Sequence, residues 1–93
     1  MRKCLKIKVM GNVQGNSYRS YIQKTAQKHG VEGIVQGAED SSILIYACGY
    51  SDKLDMFIDD LYRGNAEGGI KGLIAEPFVK EKDFRGVFRI IGD

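Results

Sequence analysis

The sequence predicts an α+β sandwich, an antiparallel sheet of four to five strands with two helices on one face, and three observations carry that reading. Period-two and period-3.6 segments follow one another as strand, helix, strand, strand, helix, strand, with one extra strand. Glycines stand singly at the joints of these segments, 12 of 93 residues beside a single proline, against a usual share of about 7%. A hydrophobic content of 43% over 93 residues fills one modest core and no second, so 1–93 reads as a single domain.

In order, residues 4–10 (CLKIKVM) alternate strictly, Leu5, Ile7 and Val9 on one face and Lys6 and Lys8 on the other, the pattern of a half-buried strand. A first helix is expected over 18–29, where Tyr18, Ile22, Thr25, Ala26 and His29 share a face and Gly30 supplies the stop. Strands over 33–36 and 42–48 are joined by the turn residues GAEDS, with Ile43, Ile45 and Ala47 on one side and Leu44, Tyr46 and Cys48 on the other. Ser51 is the expected N-cap of a second helix that buries Leu54, Phe57, Ile58 and Leu61, turns Asp52, Asp55, Asp59 and Asp60 to solvent, and ends at Arg63 and Gly64. A stretch over 70–79 with Pro77 reads as an edge strand, and 87–91 as a short final one. This order is the ferredoxin-like (βαββαβ) arrangement, a superfold that leaves function to be argued from a site.

Several classes fall away. A net charge of +2, from 14 basic and 12 acidic residues, is too small to argue for a polyanion partner. The longest apolar run, 43–48, is too short to cross a bilayer, and lysines interrupt the N-terminal stretch, so neither a membrane span nor a signal peptide is expected. Cys4 and Cys48 lack metal or redox spacing and are read as reduced thiols of a cytoplasmic protein.

The chemistry-bearing segment is GNVQGNSYR, residues 11–19. Gly11 and Gly15 allow a tight bend and close approach of a ligand, and the amides of Gln14, Gly15, Asn16, Ser17 and Tyr18 at a helix start form an anion cradle. Arg19 sits in the first helical turn, where the macrodipole disfavours a cation unless an anion offsets it. Its planar fork matches phosphate, so residues 14–19 are expected to bind a phosphoryl group. Without further context, turn glycines and a solvated or paired arginine explain the pattern equally well.

The same segment resembles the GxVQGVxFR signature of the acylphosphatase family. AQKHGVEGIVQGAEDSSILIYACG is similar to the family's xGWVxNxxDGSV region, and Phe57, Leu61 and Gly64 fall where its second helix and following turn lie. The resemblance covers essentially the whole chain. It implies the ferredoxin-like fold and hydrolysis of a small acyl phosphate without metal or organic cofactor. It also implies that an arginine and loop amides hold the phosphoryl oxygens while an asparagine orients the attacking water. Arg19 matches the arginine. The asparagine position is Gly37, the tryptophan is Ile34, the turn Asp-Gly is Asp40-Ser41, and the hydrophobic residue after QG is Asn16. Gly37 has no side chain to orient water, so phosphate binding with weak hydrolysis is expected. Asn16 is most simply an N-cap, Asn12 and Asn65 turn residues, and Gln36 faces away from Gly37 by strand alternation. His29 has no expected catalytic part.

Two other functions compete. FRGVFRII (84–91) has a superficial likeness to an RNA-stacking strand of this fold, but it falls in the last strand, and CLKIKVM carries no aromatic residue. Nucleic-acid binding therefore ranks last. The outward Leu44, Tyr46 and Cys48 would form an apolar patch, either covered by the C-terminal segment or serving as a homodimer or partner surface of a catalytically inactive regulatory domain.

Overall fold

The computed structural model describes residues 1–11, 16–64, 70–79 and 83–92. The elements run β1 (Arg2–Gly11), α1 (Asn16–Lys28), β2 (Glu32–Gly37), β3 (Ile43–Tyr50), α2 (Ser51–Arg63), β4 (Ile70–Pro77) and β5 (Phe88–Ile91). The order in the sheet is β4-β1-β3-β2-β5. β1–β3, β1–β4 and β2–β3 pair antiparallel, whereas β5 runs parallel to β2. The sheet is thus mixed rather than wholly antiparallel. The physical reason is the route of the chain: β4 and β5 occupy opposite edges, and the strand that reaches the far edge arrives in the direction of β2.

Alternation sets the two faces. Leu5, Ile7, Val9, Val35, Ile43, Ile45 and Ala47 point inward and are buried against Tyr18, Ile22 and Ala26 of α1 and Leu54, Phe57 and Leu61 of α2. Phe88 closes this layer with its ring edge on Phe57, centroids 6.1 Å apart. Gly33 is more than punctuation: a Cβ there would lie 1.7 Å from the Tyr46 carbonyl oxygen on β3, and its φ of 148° favours glycine as well.

On the outer face, Leu44 and Tyr46 are half-buried. Phe78, just past β4, sets its ring edge on Tyr46 with centroids 5.3 Å apart. The chain after β4 therefore covers part of the expected apolar patch.

Four further expectations are corrected. Cys4 and Cys48 are not free thiols but a disulfide, because the β1–β3 register sets them directly opposite on the outer face. Local cysteine spacing cannot reveal a pairing created by strand register. Free thiols thus no longer speak for a reducing compartment. Reduction with dithiothreitol is expected to cost about 2–4 kcal/mol, by releasing a cross-link between residues 44 positions apart. A urea midpoint unchanged by reduction would contradict this.

Ser51 is not the N-cap. It is the first residue of α2, Tyr50 holds the cap position without a side-chain bond, and the Ser51 backbone N–H and Oγ both donate to the Met1 carbonyl. Asp60 is not on a solvated face, and His29 is more than a helix end: His29 Nε2 lies 2.7 Å from Asp60 Oδ2, with both side chains largely buried between the helix ends. The hydrogen bond from His29, then the charge of Lys28, holds the Asp60 carboxyl below its ordinary range. Being depressed, this titration stabilises the fold at neutral pH and withdraws that stability as acid protonates Asp60.

The β2–β3 turn is built by Asp40, whose Oδ1 accepts the Ser42 backbone N–H at 3.1 Å and also the Ser42 hydroxyl. Ser41 between them takes φ = 70°. A side chain in that left-handed region costs on the order of 1 kcal/mol. Ser41→Gly is accordingly expected to stabilise the protein by about 0.5–1 kcal/mol in thermal melts, and a destabilised variant would show that Ser41 makes a compensating contact.

Candidate functional site

The start of α1 is fixed from one side. Tyr18 is buried, and its hydroxyl donates to the Leu61 carbonyl at 3.2 Å; the Tyr21 hydroxyl donates to the Asp60 carbonyl at 2.7 Å. Gln23 Nε2 donates to the Phe88 carbonyl at 2.9 Å, which ties α1 to the beginning of β5. Burial pushes the Tyr18 phenol far above its ordinary range, so it stays protonated and serves as an anchor. These bonds clamp α1 onto the last turn of α2 and onto the sheet.

With Tyr18 turned into the core, Arg19 is rotated about 100° around the helix from it and points to the end of β2. Its guanidinium lies against Gly37 so closely that a Cβ on Gly37 would sit 2.6 Å from Arg19 Nη2. The two share a cavity of about 260 Å³ lined by Arg19, Gln36, Gly37, Ile91 and Gly92. Arg19 Nε is buried, so this end of the guanidinium is shielded from solvent. No acidic residue stands in the first turn of α1. The Arg19 guanidinium, carried in the first turn of α1, therefore faces one small volume whose described lining holds no acidic residue, an arrangement that attracts an oxyanion.

Beyond Gly37, Lys8 on β1 lies 2.7 Å from Asp40 in the turn. The Lys8 hydrogen bond, followed by those from Ser42, holds Asp40 far below the usual carboxylate range, so it remains ionised. Its charge is thereby engaged by Lys8 rather than directed at the cavity.

Of the residues singled out from sequence, Arg19 and Gly37 come together, Tyr18 gives its side chain to the core, and Ser17 is exposed at the start of α1. Gln14, Gly15 and the Asn16 side chain lie outside the described residues, as do Asn12 and Asn65. Gln36 pairs with Leu44 and Gly37 with Ile43 without a bulge, so Gln36 does face away from the core. It nonetheless lines the cavity, which reaches around the strand end. Ile91 and Gly92 escaped sequence reasoning because their place depends on the parallel β2–β5 pairing, for which no local signal exists.

The architecture defines an α+β protein of the ferredoxin-like class, with an arginine at the first helix start set against the end of an inner strand. The family model "Acylphosphatase" matches residues 5–90. An acylphosphatase of Clostridium acetobutylicum is 31% identical over 85 residues, which cover 88% of this chain and 93% of that protein. One of Vibrio parahaemolyticus is 30% identical over 89 residues, covering 96% and 97%. The crystal structure of acylphosphatase from Bacillus subtilis superposes with a TM-score of 0.87 at 24% identity, covering 99% of this chain and 100% of that one, and so shares the fold. The chain belongs to the acylphosphatase family. No helix among the described residues is long and apolar enough to cross a membrane.

Proposed function

We propose that this protein hydrolyses small acyl phosphates to carboxylate and inorganic phosphate, slowly, with the phosphoryl group held between Arg19 and the backbone amides of residues 14–19. The observation that carries this reading is the contact of the Arg19 guanidinium with Gly37 at the mouth of a small cavity, in a chain of this family.

Water attacks phosphorus in line with the bond to the acyl oxygen, that bond breaks, and the electron pair leaves on a carboxylate. A carboxylic acid has a pKa of about 4, so the leaving group departs as a stable anion at neutral pH without a proton donor. The attacking water's proton passes to phosphate oxygen or solvent. What the protein must supply is position and positive charge on the equatorial oxygens. Arg19 supplies the charge in fork geometry. Gly37 offers no side-chain amide to orient the water, and losing one such positioned group typically costs about 10²–10³ in rate.

The test is turnover of benzoyl phosphate together with thermal melts in inorganic phosphate. Expected are a raised melting temperature with phosphate and slow hydrolysis that depends on Arg19. Absence of protection at millimolar phosphate would overturn the cradle. Rapid hydrolysis by the unaltered protein would overturn the part assigned to Gly37.

A further inference from the structure

A second, larger cavity of about 620 Å³ opens at the β2–β5 edge, on the outer face of the sheet. Ile34, Phe84 and Ile91 give it an apolar wall, and Arg85 and Arg89 line it as well. Gln36 and Ile91 belong to both cavities, so the two volumes adjoin at the strand ends. Among the described residues, neither the Arg85 nor the Arg89 guanidinium has a hydrogen-bonded or ion-paired partner, and both residues are exposed. Asp83 is the acidic residue of this lining, and its Oδ1 accepts the Arg85 backbone N–H at 2.8 Å. Two guanidinium groups against one carboxylate leave the cavity net positive.

An acyl phosphate has two ends. With its phosphoryl group beside Arg19, its acyl chain would leave the smaller cavity past Gln36 and Ile91, which border both volumes. We propose that this cavity takes the acyl half of the substrate, and that Arg85 and Arg89 select acyl groups carrying a second anion, such as a carboxylate, at the far end. The inference rests on the phosphoryl site proposed above. The strand sets a suitable length: Arg89 and Ile91 are two residues apart on β5, about 7 Å, a span comparable to an extended four-carbon diacid chain. The chain lies on the apolar wall and its terminal carboxylate reaches the guanidinium groups.

Two non-hydrolysable probes separate the possibilities: the methylene phosphonate isosteres of succinyl phosphate and of butyryl phosphate, equal in length and differing in the terminal charge. By calorimetric titration, the wild type is expected to bind the succinyl isostere about tenfold more tightly, as two partly exposed charge-assisted contacts allow. The Arg85→Ala/Arg89→Ala double variant should lose that preference and bind the two isosteres about equally. Arg89→Gln, which keeps most of the aliphatic stem, should lose part of it. Equal affinities in the wild type, or a preference that survives the double variant, would overturn this inference alone, provided that both probes bind and both are lost in Arg19→Ala. If neither probe binds, the phosphoryl site falls and this inference falls with it.

Discussion

Arg19→Ala is expected to abolish measurable acyl-phosphate hydrolysis, lowering kcat/KM by about 10³-fold or more, and to remove the thermal protection given by inorganic phosphate. The magnitude follows from what the side chain supplies: a fixed charge and parallel N–H donors, where a single positioned donor is typically worth about 10²–10³ and an arginine acting on a transferring phosphoryl group about 10³–10⁵. The fold should survive. The start of α1 is anchored by Tyr18 on Leu61 and by Gln23 on Phe88, neither of which involves Arg19. The measurement is therefore a pair, turnover and phosphate-dependent melting, made on a variant whose melt without phosphate stays close to wild type. Retained protection in Arg19→Ala would place the anion elsewhere. Retained turnover would remove Arg19 from the chemistry.

Arg19→Lys sharpens the point. Lysine keeps the charge and loses the fork, so a variant that recovers binding more than rate would assign the planar geometry to the transition state rather than to the resting complex.

The extent to which this architecture was readable depends on the range of the interactions involved. Leu5, Ile7 and Val9 alternate within one strand, and Leu54, Phe57 and Leu61 repeat within one helix, so local period alone assigns their inward faces. The helix order and most of the sheet follow from such segments. Pairings between distant segments do not. Cys4 meets Cys48 only through the β1–β3 register, and Asp60 meets His29 only because α1 and α2 end side by side. The solvated-face reading of Asp60 was wrong for that reason, since helical spacing locates a side chain around its own axis and says nothing about the neighbouring helix. In the candidate site, the proximity of positions 19 and 37 came from family resemblance, not from periodicity. Gln36 shows the converse limit. Alternation assigned its face correctly, but a face is not a distance, and near a strand end the cavity extends to both sides.

Gly37→Asn is expected to raise kcat for benzoyl phosphate by about 10–10²-fold, somewhat less than the full 10²–10³ that a preorganised water-orienting group can contribute. The shortfall has a geometric cause. A Cβ at position 37 would lie 2.6 Å from Arg19 Nη2, well inside van der Waals contact, so asparagine cannot be added without moving the guanidinium. Because the clashing atom is the far end of a flexible side chain, the shift is small and local, and the loss of a glycine's backbone freedom at a strand end favours the folded state. Arg19 thus occupies space that an asparagine Cβ in this position would claim, and the guanidinium must yield part of it. The variant should therefore gain in kcat while KM rises or stays level, whereas Gly37→Ala, which adds the Cβ without the amide, should raise KM and leave kcat no higher. Equal kcat for Gly37→Asn and Gly37→Ala would show that the amide does not reach the water, and the orienting role would pass to another group at the cavity, of which the Gln36 side chain is the nearest in sequence.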